Sequence, residues 1–278
     1  MIGGPDPGIG LFDAIVLGLV EGLTEFLPVS STGHLILVQR WLDLPASEVN
    51  NTFAIGIQMG AITAILVLYW RRLWDALRTV AAPQRGAPNL LWQIAVAAAP
   101  AVVLGLLADD WIDAHLFSAW VVVATMVVGG VLLLVLERWL RGRNGGSELA
   151  GMGYRAAFLI GLCQCLALVP GTSRSAATIA GAMLLGLSRP AAAEFSFLVG
   201  LPILYGASLW RLAKHAPALT GELLLPLVVA TLVAFASALA VVGPFVRFLR
   251  GHTFAPFAWY RIVVGLLLAA AVATGWLG

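Results

Sequence analysis

The chain has 278 residues, is 60% hydrophobic and only 11% charged, and carries a formal net charge of +2. A soluble domain would carry roughly 25% charged residues. Composition therefore excludes an ordinary soluble globule and points to an all-α polytopic membrane protein. The small net charge says little about partners beyond membrane lipids and gives no reason to expect nucleic acid.

A helix needs about 20 apolar residues to cross the hydrocarbon core. The first element, residues 9–44, is apolar but broken at Pro28-Val-Ser-Ser-Thr-Gly33. Its first arm, Ile9–Leu27, could be long enough to span. Its second arm, Gly33–Leu44, reaches roughly 18 Å at ~1.5 Å per residue, short of the ~30 Å core. Uninterrupted spans follow at 52–70, 90–108 and 117–137. Residues 154–187 repeat the broken pattern at Pro170-Gly-Thr-Ser-Arg-Ser175, again with a short second arm, Ala176–Leu187. Spans at 192–210, 222–246 and 256–277 complete the chain. No short apolar region with a small-residue cleavage site stands out at the start, so no cleavable signal peptide is expected.

Arms too short to cross predict re-entrant helix–loop–helix hairpins, whose loop backbone must be buried in protein or line a cavity. The two hairpins look related: Gly18-Leu-Val-Glu21 parallels Gly161-Leu-Cys-Gln164, Pro28 parallels Pro170, and Ser31 parallels Ser173 after a one-residue shift. Three spans separate them, and an odd number of crossings turns the second copy over. The expected architecture is one transmembrane domain over residues 1–278. It has six spanning helices plus two re-entrant hairpins in an inverted-topology repeat, about 9–137 and 154–277, with the broken tips meeting near the midplane.

Lys and Arg placement sets the orientation. Arg71, Arg72, Arg78 and Arg85 follow the first span. Asp109, Asp110 and Asp113 follow the second, and Arg138, Arg141, Arg143 and Arg155 the third. Arg247 and Arg250 mark a later basic loop, and 211–221 holds only Arg211 and Lys214. This puts 71–89, 138–155 and 247–255 in the cytoplasm, both termini outside, and the first hairpin entering from the outer face.

Charged groups at membrane depth are costly unless paired or lining a wet cavity, and Glu21, Glu25 and His34 lie close together in apolar sequence. Glu21 and Glu25 are four apart, on one face of a helix that Pro28 stops. Two carboxylates there suit a divalent cation held with a phosphate; the plainer reading is one carboxylate on a helix end and one facing water. Ser30, Ser31 and Thr32 stand where the next helix begins. There they are N-caps and also part of an anion site made by free N–H groups and the dipole. With His34 they make a phosphoryl-transfer set of nucleophile, acid/base and metal ligands. In the second break, Gly171 lets backbone approach a ligand. Thr172, Ser173 and Ser175 offer hydroxyls, and Arg174 offers a planar fork for phosphate oxygens. Arg174 needs a partner from the other hairpin: Glu21, Glu25 or substrate.

Weaker signals read as structure. Gln58, Gln93 and Gln164 are expected to bridge helices, and Gly56-xxx-Gly60 to pack closely within the fold or across a homodimer. Glu194 pairs with Arg189 or supports the site. His115, His215 and His252 fall in solvated loops. Cys163 and Cys165 are packing residues.

The strings EGLTEFLPVSSTGH (Glu21–His34), PGTSRSAAT (Pro170–Thr178) and AEFSFLVGLP (Ala193–Pro202) resemble the undecaprenyl-diphosphate phosphatase family of the bacitracin-resistance type, and the likeness covers essentially the whole chain. The resemblance implies an enzyme in the bacterial inner membrane that removes the terminal phosphate of undecaprenyl diphosphate, returning the carrier lipid for peptidoglycan. It implies catalytic roles for Glu21, Glu25, Ser31, His34 and Arg174, substrate contacts from Ser173 and Thr178, a Mg2+ or Ca2+ ion, and a site on the outer side. Ala176 stands where many relatives carry Gly. Ser31 with His34 assisting is the favoured nucleophile, with His34 itself or water as alternatives. A phosphatidic-acid-type phosphatase is disfavoured, because no second His follows Ser173-Arg174. A transporter or flippase of an anionic polyprenyl lipid is the non-enzyme alternative, since fold does not fix function.

Overall fold

The computed structural model describes residues 8–45, 47–80, 88–116, 118–142, 146–214 and 221–276. In chain order it forms α1 (Leu11–Thr24), α2 (Ser31–Trp41), α3 (Glu48–Leu68), α4 (Trp70–Val80), α5 (Leu90–His115), α6 (Ala119–Trp139), α7 (Tyr154–Gln164), α8 (Arg174–Leu184), α9 (Arg189–Lys214), α10 (Gly221–Phe248) and α11 (Ala255–Ala273). Helices α3, α5, α6, α9, α10 and α11 are long and apolar enough to cross a membrane. They match the six expected spans. Their outward faces carry exposed leucines such as Leu107, Leu232 and Leu267, as lipid-facing surfaces do. Arg85, Arg143 and His215, and the side chains of Asp109, Asp110 and Asp113, lie outside the described residues.

Two boundaries differ from the sequence reading. Helix α5 runs to His115 rather than stopping near 108. Hydropathy marks the end of an apolar run, and no Gly or Pro between 108 and 116 breaks the helix there. The stretch after α3 is not a plain loop. Trp70, Leu73, Trp74 and Leu77 recur at helical spacing and form the amphipathic α4, too short to register as a span.

Each pair α1–α2 and α7–α8 is a helix–turn–helix hairpin. Helix α1 has 14 residues, about 21 Å at ~1.5 Å per residue, so this arm too falls short of a ~30 Å core. Helices α2 and α8 are both 11 residues long. The arms pack in a crossed manner. A Cβ on Gly18 of α1 would overlap the Ala230 carbonyl of α10, and one on Gly161 of α7 would overlap the Ala97 carbonyl of α5. Close backbone approach through small residues holds apolar helices together where lipid supplies no hydrophobic drive. Gly60 likewise sits against the Thr231 carbonyl of α10, and Gly56 against Leu212 and Leu227. The Gly56/Gly60 pair is thus used inside the fold.

The polar bridges divide similarly. Gln164 donates to the Ala97 carbonyl of α5 as an interhelical partner, whereas Gln93 donates to the Met152 carbonyl in the non-helical stretch before α7. Glu194 pairs with Arg72 at 2.6 Å, not with Arg189. Arg189 instead binds Glu137 on α6, which also accepts from the Phe254 N–H. His115 and His252 are exposed, and both cysteines are free.

Candidate active site

The site forms where the turn between α1 and α2 meets the turn between α7 and α8. Ser30 (φ 71°, ψ 92°) and Ser173 (φ 72°, ψ 112°) adopt the same left-handed conformation immediately before α2 and α8. A non-glycine residue held there costs about 1–3 kcal/mol and persists where its surroundings over-determine it. Each serine caps the helix that it precedes: Ser30 Oγ accepts from the Gly33 N–H and Ser173 Oγ from the Ala176 N–H. Ser30, not Ser31, is therefore the counterpart of Ser173, and the one-residue shift disappears. Gly18 with Gly161, Glu21 with Gln164, Pro28 with Gly171, Ser30 with Ser173 and Ser31 with Arg174 stand at one constant spacing.

A cavity of about 150 Å³ opens between the turns, lined by Glu25, Ser30, Ser31 and Thr32 from the first and Pro170, Gly171, Ser173 and Arg174 from the second. Gln58, Ala167 and Leu204 complete it. Its polar lining and room for several waters suit a group such as phosphate. Both short helices begin at this cavity, aiming free N–H groups at it.

Glu25 is the junction. Its Oε2 accepts from the Ser31 hydroxyl at 2.7 Å, and its Oε1 accepts from Arg174 Nη2 at 3.0 Å. Arg174 is further fixed by Nη1 donating to the Ser196 carbonyl at 2.7 Å, and its guanidinium lies 5.9 Å from the Phe26 ring centroid. Gly200 leaves the room it occupies: a Cβ there would be 2.9 Å from the guanidinium carbon. The partner that Arg174 needed thus comes from the other hairpin.

Other expected residues stand behind this surface. Glu21, one turn before Glu25, is fully buried, and neither carboxylate oxygen has a hydrogen-bond partner. His34 is outside the cavity lining. Its Nδ1–H donates to the Ser30 carbonyl at 2.8 Å, which leaves Nε2 to accept from the Tyr260 hydroxyl at 2.8 Å. The side chain touching the Ser31 hydroxyl is Glu25, not His34. Ser175 donates to the Leu27 carbonyl at 3.0 Å, another link between the turns. Thr178 shares a hydrogen bond with Ser196 Oγ, which also accepts from Arg174 Nη1. Thr172 does not line the cavity; its N–H donates to the Val169 carbonyl. Gly171 has φ 85°, and a Cβ on it would overlap Thr125 Oγ1 of α6. Its close approach is to α6 as well as to the cavity.

The sequence reading missed the cavity role of Gln58, expected to be a bridge. It also missed Ser196, Tyr260 and Arg261. Arg261 is fully buried on α11 and donates to carbonyls of both turns, Pro28 at 3.5 Å and Gly171 at 3.3 Å. An Arg inside an apolar run was the available signal. Serine and tyrosine in a span carry none comparable.

Among the described residues no group of three or more His, Cys, Asp and Glu side chains gathers as a metal cage. The two expected carboxylates differ: Glu25 lines the cavity with its oxygens engaged by Ser31 and Arg174, and Glu21 lies behind it with both oxygens unpartnered. Mg2+ commonly takes an arrangement in which one or two carboxylates hold the ion and substrate phosphates and waters fill the rest. The orphaned oxygens of Glu21 fit such a role.

A family model described as "Bacitracin resistance protein BacA" matches residues 14–267. The chain is 45% identical over 274 residues to an undecaprenyl-diphosphatase of a Polaromonas species, covering 96% of each. It is 41% identical over 263 residues to undecaprenyl-diphosphatase 3 of Acinetobacter baylyi, covering 94% of this chain and 97% of that one. It is 40% identical over 265 residues to the undecaprenyl-diphosphatase of Enterococcus faecalis, covering 94% and 96%.

Proposed function

The chain belongs to the bacitracin resistance protein BacA family, and from that premise we propose how its cavity removes the terminal phosphate of undecaprenyl diphosphate. It is a hydrolase and a multi-pass bacterial membrane protein. Its product, undecaprenyl phosphate, re-enters use as the carrier lipid of cell-wall synthesis. The observation that carries the mechanism is the chain of contacts Ser31–Glu25–Arg174 across the two turns.

Phosphoryl transfer is chiefly positioning and charge neutralisation. The terminal phosphate enters between the two helix N-termini and takes Arg174 from Glu25, a bidentate exchange for which guanidinium is suited. Freed of its counter-charge, Glu25 becomes a stronger base toward the hydroxyl that it already holds. Ser31 Oγ attacks the terminal phosphorus, its proton passes to Glu25 Oε2, and undecaprenyl phosphate leaves as the anhydride bond breaks. Glu25 passes that proton to the departing undecaprenyl phosphate; water, deprotonated by the regenerated carboxylate, then attacks the phosphoserine, and the proton goes to Ser31 Oγ as inorganic phosphate leaves. His34 acts from behind, holding the Ser30 carbonyl and so the strained turn that presents Ser31.

Glu21 and Glu25 would hold a Mg2+ or Ca2+ ion, which when bound neutralises charge on the diphosphate. The orphaned buried oxygens of Glu21 favour this, because a carboxylate without partners in a dry site requires a proton or a cation. The basic loops argue for a site facing the outer side, with both termini outside. The crossed packing and the constant residue spacing argue for two re-entrant, inverted halves. Open backbone of the kind seen at both turns is tolerated at membrane depth only in such a buried, cavity-lining place.

Acid-quenching turnover of a polyprenyl diphosphate labelled in its terminal phosphate tests the nucleophile. Label is expected on Ser31 and absent from Ser31→Ala. Phosphate release with no residue labelled after either acid or alkaline quenching, the latter preserving a phosphohistidine at His34, would assign the attack to water.

A further inference from the structure

Arg261 is a charged side chain that the proposed chemistry leaves unused. It is completely buried, and none of the ion pairs among the described residues includes it. Removing an ion from water costs several kcal/mol even after relaxation, and an apolar replacement is often neutral or stabilising. Retention of a lone buried guanidinium calls for a specific use.

Its donors show what that use is. On α6, Nη2 donates to the Thr125 carbonyl at 3.0 Å and Nε to that of Met126 at 3.4 Å. In the first turn Nη1 reaches the Pro28 carbonyl at 3.5 Å, and in the second Nη2 reaches the Gly171 carbonyl at 3.3 Å. Pro28 and Gly171 are counterpart positions, three residues before Ser31 and Arg174 respectively. One planar fork thus grips the same backbone atom of both turns and ties each to one helix. Thr125 reinforces the grip by donating to the Pro170 carbonyl at 2.7 Å. Gly129 leaves space for the guanidinium, since a Cβ there would overlap Nη2.

We propose that Arg261 is a positioning residue that sets the separation between the nucleophile side and the phosphate-binding side of the cavity. It touches no substrate. It fixes two turns that have no covalent connection near the site, so that Ser31 and Arg174 meet one phosphate in line. A guanidinium can do this because its five N–H groups point in fixed directions; an ammonium on a flexible stem cannot hold four carbonyls in a plane.

The inference rests on the cavity being the phosphatase site, so Glu25→Gln is measured alongside. The readouts are kcat and KM for a polyprenyl diphosphate and the thermal midpoint of the purified full-length protein. Arg261→Lys is expected to lower kcat about 30- to 100-fold with KM changed less than about threefold, because a misplacement near 1 Å costs up to about 10²-fold. Gly129→Ala, which keeps Arg261 but displaces its fork, should lower kcat in the same way, and it reads the clamp even if the lysine variant does not fold. Gly60→Ala overlaps the Thr231 carbonyl of α10 and does not meet Arg261; it should lower the thermal midpoint without lowering kcat. Wild-type kcat in Arg261→Lys and Gly129→Ala, or kcat losses that follow the thermal midpoint across all three variants, would overturn the proposal. Full activity in Glu25→Gln would show instead that the cavity reading has failed.

Discussion

The two turns share a backbone and divide the chemistry. Each begins after a short helix, passes through a serine at φ near 70°, and launches an 11-residue helix into the same cavity. Yet the position holding the hydroxyl of Ser31 in the first holds the guanidinium of Arg174 in the second. Glu21 in the first arm is matched by the neutral Gln164 in the second, both buried with unpartnered oxygens. In the proposed reaction the first turn is thus the acidic, nucleophilic half and the second the basic, phosphate-binding half. A symmetric pair of acidic turns would repel each other, and a pair of basic ones would repel as well. Divergence of side chains on a common frame lets Glu25 and Arg174 bind one another when no phosphate is present.

The largest effect on that comparison should come from Arg174→Ala. With the basic half lost, Glu25 keeps an uncompensated buried charge and the phosphate loses its fork. Phosphate release should fall by about 10³-fold or more, the scale of losing an arginine that stabilises phosphoryl transfer. Release within tenfold of wild type would show that the second turn does not bind the reacting phosphate.

A smaller effect, on the frame rather than the chemistry, is expected for Gly171→Ala. The added methyl meets Thr125 at a position with φ 85°, so strain and overlap act together at about 1–3 kcal/mol. A lower thermal midpoint should accompany slower turnover, as circular dichroism melting and phosphate release would show. An unchanged midpoint would mean that the turn can relax away from α6.

Ser175→Ala should do least. It removes the hydroxyl that reaches the Leu27 carbonyl between the turns, a hydrogen bond contributing about 0.5–1.5 kcal/mol. The expected result is a slight fall in thermal midpoint with activity within a few-fold of wild type. A large loss of kcat would give this contact a direct part in catalysis.

Much of this arrangement was legible in the sequence because membranes make the relevant signals coarse. Runs of about 20 apolar residues mark the spans, and charged residues such as Glu25 and Arg174 in apolar surroundings mark the site. The dependence of Arg174 on the other hairpin followed from its having no nearby acid. Finer features were hidden for physical reasons. Pro28 and Pro170 suggested an alignment, but the counterparts are set by backbone dihedrals at Ser30 and Ser173, which side-chain identity does not report. His34 looked like a base for Ser31 because both lie in one turn. The helix instead directs its ring to Ser30 and Tyr260, a partner 226 residues away. Helix α4 was missed because length alone separated spans from loops, although its apolar spacing was visible at Trp70, Leu73, Trp74 and Leu77.

The central claim is that residues of two separate hairpins act as one catalytic unit through the Glu25–Arg174 contact. A double-mutant cycle on kcat/KM for phosphate release tests it most directly, with the conservative variants Glu25→Asp and Arg174→Lys keeping activity measurable. Groups that work as a unit are strongly non-additive, so the double variant is predicted to be little slower than the slower single one. Two losses that simply multiply would contradict the account.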